Sequence, residues 1–378
     1  MLVDMSFIRE GFGVRSHQCH APMVTRAFRS LMNMASQPGG VGEGPFDDSL
    51  GGEVHPAMPV TVYHERYSAE PWPSTHSFPM WKFSELAKLL SKQDGPLGQD
   101  GPAAMRAAFR PTDQPPHDWF EAVHDPEYYH AFLDGKLDEK AMRRIGLPYS
   151  EQLVDRTLLE VSGTVLAARL ALRYGLACNL AGGTHHAHRG FGSGYTILND
   201  LAVAARVVQS DGSATKVTIV DCDVHQGDGT ATIFAEDPSV RTISFHCQEN
   251  FPANKSVSDV DIGLPAGAGD EELMQSLRRV IPKELTAQPP DLVLYDAGVD
   301  MHIGDKLGKM TVSDQGLFDR DLFVIRACLE RGVPVACVVG GGYDKDKTVL
   351  AGRHAKVFQA AFAAWRELGD ARLRWRRR

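Results

Sequence analysis

From residue 201 onward, short apolar runs alternate with stretches of helical periodicity, and this alternation constrains the fold more than any other feature of the chain. The runs are 217–220, 240–245, 292–295 and 333–339; the helical stretches are 201–209, 270–285, 314–331 and 345–368. A strand that is apolar on both faces needs cover on both faces, and parallel neighbours need a long return connection. The pattern therefore predicts an α/β fold, a central and mostly parallel sheet with helices on both faces. Ligands of such sheets gather beyond the carboxyl ends of the strands. The residues that follow the runs are where chemistry is expected.

Upstream, residues 58–63 read as a first strand and 81–92 as a helix that stops before Gly95. Asp125-Pro126 opens a short helix, with proline at the first helical position. Residues 151–176 read as one long helix, almost apolar between 158 and 172 and so buried on much of its surface. Residues 96–116 carry no clear capping pattern and support no assignment. There is no internal repeat.

Hydrophobic residues, 43 % of 378, supply a sizeable core. With 40 basic against 48 acidic residues the formal charge is -8, which argues against a nucleic-acid partner. No apolar run reaches the roughly 18 residues of a membrane-spanning helix. Six cysteines (Cys19, Cys178, Cys222, Cys247, Cys328, Cys337) without a CxxC argue against a disulfide scaffold and for a reducing compartment, the cytoplasm by default. Residues 1–57 stand apart. Arg9, Arg15, Arg26 and Arg29 face only Asp4 and Glu10 before a Gly/Pro-rich stretch. That composition suits a mitochondrial or plastid presequence, and equally a disordered extension or a translation start at Met58. The body is 58–370, and 371–378 form a basic tail read as a solvated end.

The run 217–220 leads straight into Asp221-Cys222-Asp223-Val224-His225-Gln226-Gly227-Asp228. If the strand continued, its period of two would project Asp221, Asp223 and His225 to one side. Carboxylates and imidazole at a strand end are costly to bury unless they hold a cation or hydrogen bonds. The mixed N/O set points to a metal. The run 292–295 leads to Asp296, Asp300 and Asp305, which compete as a further ligand; spacing does not choose among them. Two aspartates and one histidine leave a coordination position open, as catalysis requires. Gly182-Gly183-Thr184-His185-His186 places tandem histidines in an irregular loop where both can line one cavity. Paired with carboxylates such as Asp221 and Asp228, they become tuned acids and bases. Gly340-Gly341-Gly342-Tyr343 follows the last run, and a tyrosine there can donate to a developing oxyanion.

These motifs together resemble the zinc-dependent histone deacetylase family. Residues 182–186, GSGYTILND at 192–200, 221–229, 298–300 with 304–305, and 340–343 stand in that family's order. The likeness is closest to bacterial members similar to its class IV branch, with HSFPM at 76–80 and FPANK at 251–255 also similar, and it spans about 58–368. The resemblance implies a single arginase-like domain around one catalytic Zn2+ held by Asp223, His225 and Asp300. It implies His185 and His186 as the proton-handling pair backed by Asp221 and Asp228, and Tyr343 as the residue that polarises the acyl carbonyl. It implies a substrate channel lined by Tyr195, Phe251, Gly194 and Gly341. It also implies a K+ site near Ser244 that draws on Asp221, Asp223 and His225. Three positions depart from the family pattern: Tyr195 where many members have Phe, Gln226 where several have His, and Val339 in place of a first glycine.

The implied reaction is hydrolysis of an acetyl or longer acyl group from Nε-acyl-lysine of a protein or peptide. A small acetylated amine such as an acetylpolyamine is the alternative substrate, and an acidic residue at the channel mouth, for which Glu249 is the candidate, would favour it. A binuclear arginase-like hydrolase is disfavoured by Tyr343 and the His185-His186 pair. A non-catalytic acyl-lysine binding module would lack ligands that this chain has.

Overall fold

The carboxyl ends of four neighbouring strands meet at one edge of the sheet, and this convergence builds the site. The structure, a computed structural model, describes residues 58–368. The expectations for residues 1–57 and 371–378 lie outside the described residues. The strands are β1 (Val60–Val62), β2 (Leu176–Asn179), β3 (Val217–Asp221), β4 (Val240–Cys247), β5 (Val260–Leu264), β6 (Leu292–Asp296) and β7 (Val335–Val338). They form one sheet in the order β1-β2-β7-β6-β3-β4-β5, with every pair parallel and helices packed around it. This is the arginase-like α/β architecture that the alternating runs and the motif resemblance predict. Every residue of β2, β3, β6 and β7 is buried, as near-continuous apolar strands covered on both faces must be.

Register sets the site. Asp221 pairs with Asp296 across β3 and β6, and Asp296 with Val338 across β6 and β7. The segments after β2, β3, β6 and β7 carry the tandem histidines, the D-x-D-x-H segment, Asp300 and the glycine–tyrosine turn. They therefore leave the sheet side by side.

One expectation is corrected. The long helix ends at Tyr174, because Gly175 turns the chain with φ 95° and its amide bonds to Ala171 O at 2.6 Å. Leu176, read as the end of that helix, instead opens β2. The edge strand β5 was also hidden, since only Leu264 of its five residues is fully buried. Within 96–116 the chain forms a short helix, Asp100–Arg106, without a side-chain cap. Two further short helices, His117–Glu121 and Glu139–Ile145, were not legible either. Among the described residues no helix is long and apolar enough to cross a membrane, and Cys178, Cys222, Cys247, Cys328 and Cys337 are buried free thiols.

Gly163 lies mid-way along helix Glu151–Tyr174, where alanine ordinarily stabilises by about 1 kcal/mol. Here an added methyl would run into the Tyr67 hydroxyl, which donates to Asn179 Oδ1 of β2 at 2.9 Å. Gly163→Ala is expected to reverse the usual sign and destabilise by about 1–3 kcal/mol. A lowered urea midpoint checks this; an unchanged or raised one would show that the helix does not pack this closely on β2.

Candidate active site

β3 ends at Asp221, and the chain beyond it coils. Asp221 Oδ1 accepts from the Asp223 amide at 3.0 Å, and Asp223 Oδ1 from the His225 amide at 2.9 Å, two successive aspartate turns. The expectation that a continuing strand would project all three side chains to one side is therefore corrected. Asp223 and His225 turn towards Asp300, whereas Asp221 faces His185. Ligand-capable atoms of Asp223, His225 and Asp300 lie within 4.8 Å of one another, and all three residues are buried. His225 Nδ1 is 3.0 Å from Asp223 Oδ1 and 3.1 Å from Asp300 Oδ2. The other oxygens are spoken for: Asp223 Oδ2 accepts from the Gly341 amide at 2.8 Å and Asp300 Oδ1 from the Val224 amide at 2.9 Å. Asp300 Oδ2 is buried without an aligned hydrogen bond. Any side chain at position 341 would strike both carboxylates. An orphaned oxygen, a second carboxylate and an imidazole converging there fit one divalent metal with a position left open.

Of the three competing aspartates, only Asp300 enters this cluster. Asp305 pins the backbone instead, accepting from the Tyr343 amide at 2.7 Å and from the amides of Leu307 and Gly308. Asp296 is fully buried with neither oxygen hydrogen-bonded, 3.8 Å from His185 Nδ1, and burial pushes its carboxyl well above the usual range.

The tandem histidines lie in one cavity, their rings 4.1 Å apart. His185 Nδ1 is bonded to Asp221 Oδ2 at 2.7 Å and His186 Nδ1 to Asp228 Oδ1 at 2.6 Å. The two rings differ in charge. Burial disfavours an imidazolium at both. At His185, however, Asp221, Asp223 and Asp296 outweigh burial and hold the pKa well above the ordinary value. His186 is pushed down to about 4 by burial and by the charge of His185, against the opposing pull of Asp228. The surroundings thus favour the charged form of His185 and the neutral form of His186.

Tyr343 completes the cluster. Burial, together with Asp300, Asp223 and Asp305, holds its phenol well above the usual value, so it stays a donor. The cleft in front, about 30 Å³ and open at its mouth, is lined by His185, His186, Gly194, Tyr195, Gly341 and Tyr343 among others. Phe251, 40 % exposed, stands edge-on to His186 at 4.8 Å between ring centres, and a side chain at Gly194 would strike His186. The Tyr195 ring lies 5.9 Å from that of Tyr343. Ser244 is the register partner of Asp221 on β4, and its hydroxyl is bonded to His246 Nδ1 at 2.9 Å.

Residues 76–359 match the histone deacetylase domain. The chain belongs to the histone deacetylase family. A protein of Picosynechococcus sp. is 50 % identical over 300 residues, 79 % of this chain and 97 % of that one. Histone deacetylase 2 of Arabidopsis thaliana is 31 % identical over 190 residues, 50 % of this chain and 49 % of that one. A probable deacetylase of Methanothermobacter thermautotrophicus is 29 % identical over 201 residues, 50 % of this chain and 60 % of that one. The match thus spans about half of the plant relative's length and somewhat more of the archaeal one's. The crystal structure of the HDA15 HD domain superposes with a TM-score of 0.64 at 22 % identity, covering 84 % of this chain and 96 % of that one, which shows a shared fold.

Around this site stand residues to which the motifs gave no role. Lys82, 2 % exposed, donates from Nζ to Gly340 O at 2.8 Å, and burial lowers its pKa to about 8. Arg156 and Glu160, both buried, form a two-pronged ion pair at 2.6 Å on the same cleft. Asp200 accepts from the amides of Gly183 and Thr184 and so shapes the loop before the histidines. A signal was present for all four, since Asp200 closes the GSGYTILND motif. Lys82, Leu86 and Leu90 share the buried stripe of one helix, and Arg156, Glu160 and Thr164 share that of another, so charge sits where periodicity demands apolar residues.

The pKa of His225 fixes a measurable link. Burial disfavours its charged form, but the Asp223 and Asp300 carboxylates outweigh it and draw the pKa up to about 10. A raised histidine stabilises the fold fully below about 6.5, and that stabilisation is lost as pH rises through the folded value. A divalent metal must displace the same proton. The urea midpoint of metal-free protein is expected to fall between pH 7 and pH 10, and that of zinc-loaded protein to be flatter. Parallel curves would count against the contact of His225 with Asp223 and Asp300.

Proposed function

We propose that the protein is a zinc-dependent hydrolase that removes acetyl, or longer acyl, groups from Nε-acyl-lysine of proteins. The observation that carries this reading is the pairing of two clusters in one cleft: Asp223, His225 and Asp300 with an orphaned oxygen, beside two histidines that each bind a carboxylate. Bound by the first cluster, zinc would supply Lewis acidity, polarising the acyl carbonyl and making a water acidic near neutral pH. His186, neutral and oriented by Asp228, takes a proton from the attacking water and returns it to the leaving amine. His185, kept charged by its carboxylates, supplies positive potential and holds the neighbouring ring's basicity down. Tyr343 keeps its proton and donates it in a hydrogen bond to the acyl oxygen as negative charge develops. Phe251, Tyr195 and Gly194 flank the methylene chain of the substrate.

The rings of Tyr195 and Phe251 beside the cleft favour the uncharged methylene chain of an acyl-lysine over a polyamine cation.

Tyr343→Phe is expected to lower kcat about 10²–10³-fold with little change in substrate binding, since the donor acts on charge that develops only in the transition state. The measurement is steady-state kinetics on acetyl-lysine peptide, long-chain acyl-lysine peptide and acetylated polyamine, with zinc content determined on the same samples. Equal loss in binding alone would remove Tyr343 from that role. Faster turnover of the polyamine than of either peptide would replace the protein-lysine reading, and zinc without turnover of any acylated amine would end the hydrolase reading.

A further inference from the structure

We infer that Arg320 is a positioning residue that sets the spacing of the metal ligands by tying together the two loops that carry them. It has the largest of the fully buried side chains, with 0 % exposure. It sits on helix Asp314–Glu330, whose buried stripe runs through Leu317, Arg320, Asp321, Val324 and Cys328. Its guanidinium reaches into the space where the segments after β3 and β6 pass each other. Nη1 donates to Cys222 O at 2.9 Å and to Gly298 O at 2.6 Å, and Nη2 donates to Ala297 O at 3.2 Å. Cys222 immediately precedes Asp223, and Gly298 lies two residues before Asp300. One nitrogen therefore holds a carbonyl from each ligand-bearing loop.

The charge is balanced by the neighbouring Asp321. Asp321 Oδ1 accepts from Arg320 Nε at 2.9 Å and from the Tyr295 hydroxyl at 2.6 Å. Tyr295 belongs to β6 itself, so the network is anchored in the sheet. Gly298 is pressed between this network and the cluster: a side chain there would strike Asp223 Oδ2. The planar fork of an arginine can bridge carbonyls on two loops at fixed separation, which a lysine ammonium on its single flexible stem does less well. A buried ion pair by itself is weak evidence for a contribution to stability. What singles this one out is the direction of its remaining donors, all of which go to the two ligand loops.

The inference rests on the metal site proposed above, and the experiment separates the two. Zinc affinity of the full chain is measured by competition with a chromophoric chelator, beside the urea midpoint of the metal-free protein and the visible spectrum of the cobalt form. Three proteins are compared: the native chain, Arg320→Lys, and the triple variant Tyr295→Phe, Arg320→Met, Asp321→Leu, which replaces the whole network by apolar groups of similar size. Zinc binding is expected to weaken 10- to 100-fold in both variants, as for other residues that orient metal ligands, with a changed cobalt spectrum and a folded metal-free protein. Native zinc affinity and cobalt spectrum in a folded variant would overturn the role of Arg320. If Arg320→Lys does not fold, the triple variant decides. Failure of the native chain to bind zinc would instead overturn the metal site.

Discussion

Four carboxylates, those of Asp221, Asp223, Asp296 and Asp300, are each no more than 3 % exposed and crowd the carboxyl ends of β3 and β6. Like charges taken out of water this close together cannot all stay ionised without cations among them. Much of the surrounding structure answers that constraint. His185 carries charge between Asp221 and Asp296, and His225 between Asp223 and Asp300. Lys82 and Arg320 bring two further buried cations behind the loops. The compensation is uneven: Asp223 is held well below the usual carboxylate range, while burial pushes Asp296 and Asp300 above it. A divalent cation at the Asp300 corner, where one carboxylate oxygen lacks a hydrogen bond, would neutralise part of this charge beside the two histidines that a hydrolysis needs.

The same constraint explains what was legible in the sequence. Apolar runs announced β3, β4, β6 and β7, and residues 58–63 announced β1, because strands covered on both faces have no room for alternation. The motifs announced Asp223, His225 and the histidine pair. They could not announce geometry. Spacing treated 221–225 as continued strand, whereas two aspartate turns coil the segment and send Asp221 to a different partner from Asp223 and His225. Nor could spacing choose among Asp296, Asp300 and Asp305, since that depends on how β6 pairs with β3 and β7. The helix read through to 176 failed for a local reason, one glycine turning the chain within an apolar sequence.

Lys82, Arg156, Glu160 and Arg320 were missed for a shared reason. A charged residue in an amphipathic helix is ordinarily assigned to the solvated face, yet each of these falls on the buried stripe of its helix. Their partners, backbone carbonyls of loops and each other, are distant in sequence or invisible to hydropathy. Read with its phase, the same periodicity would have marked them, because a charge in phase with leucines on a core-facing stripe needs a partner that is itself buried.

The departures from the family's motif pattern turn out to be employed away from the reaction. Gln226 binds Ser256 through both ends of its amide and also Asp261, so it staples the segment between β4 and β5 rather than facing the metal cluster. Val339 is buried and continues β7, its amide bonded to Ala181 O at 3.4 Å. Tyr195 is different, because its ring faces the cleft. It adopts a left-handed backbone at φ 67°, a conformation that costs an L-residue about 1–2 kcal/mol. Its amide bonds to Ile145 O at 2.8 Å and its hydroxyl to Ser77 Oγ at 2.7 Å, which offset that strain. The hydroxyl that distinguishes Tyr195 from phenylalanine is thus turned onto the 76–78 segment, leaving the ring face to the substrate. Tyr195 and Phe251 together present apolar ring surface beside the cleft. Under the proposed function, such a surface would suit the uncharged methylene chain of an acylated lysine better than a polyamine carrying positive charge along its length.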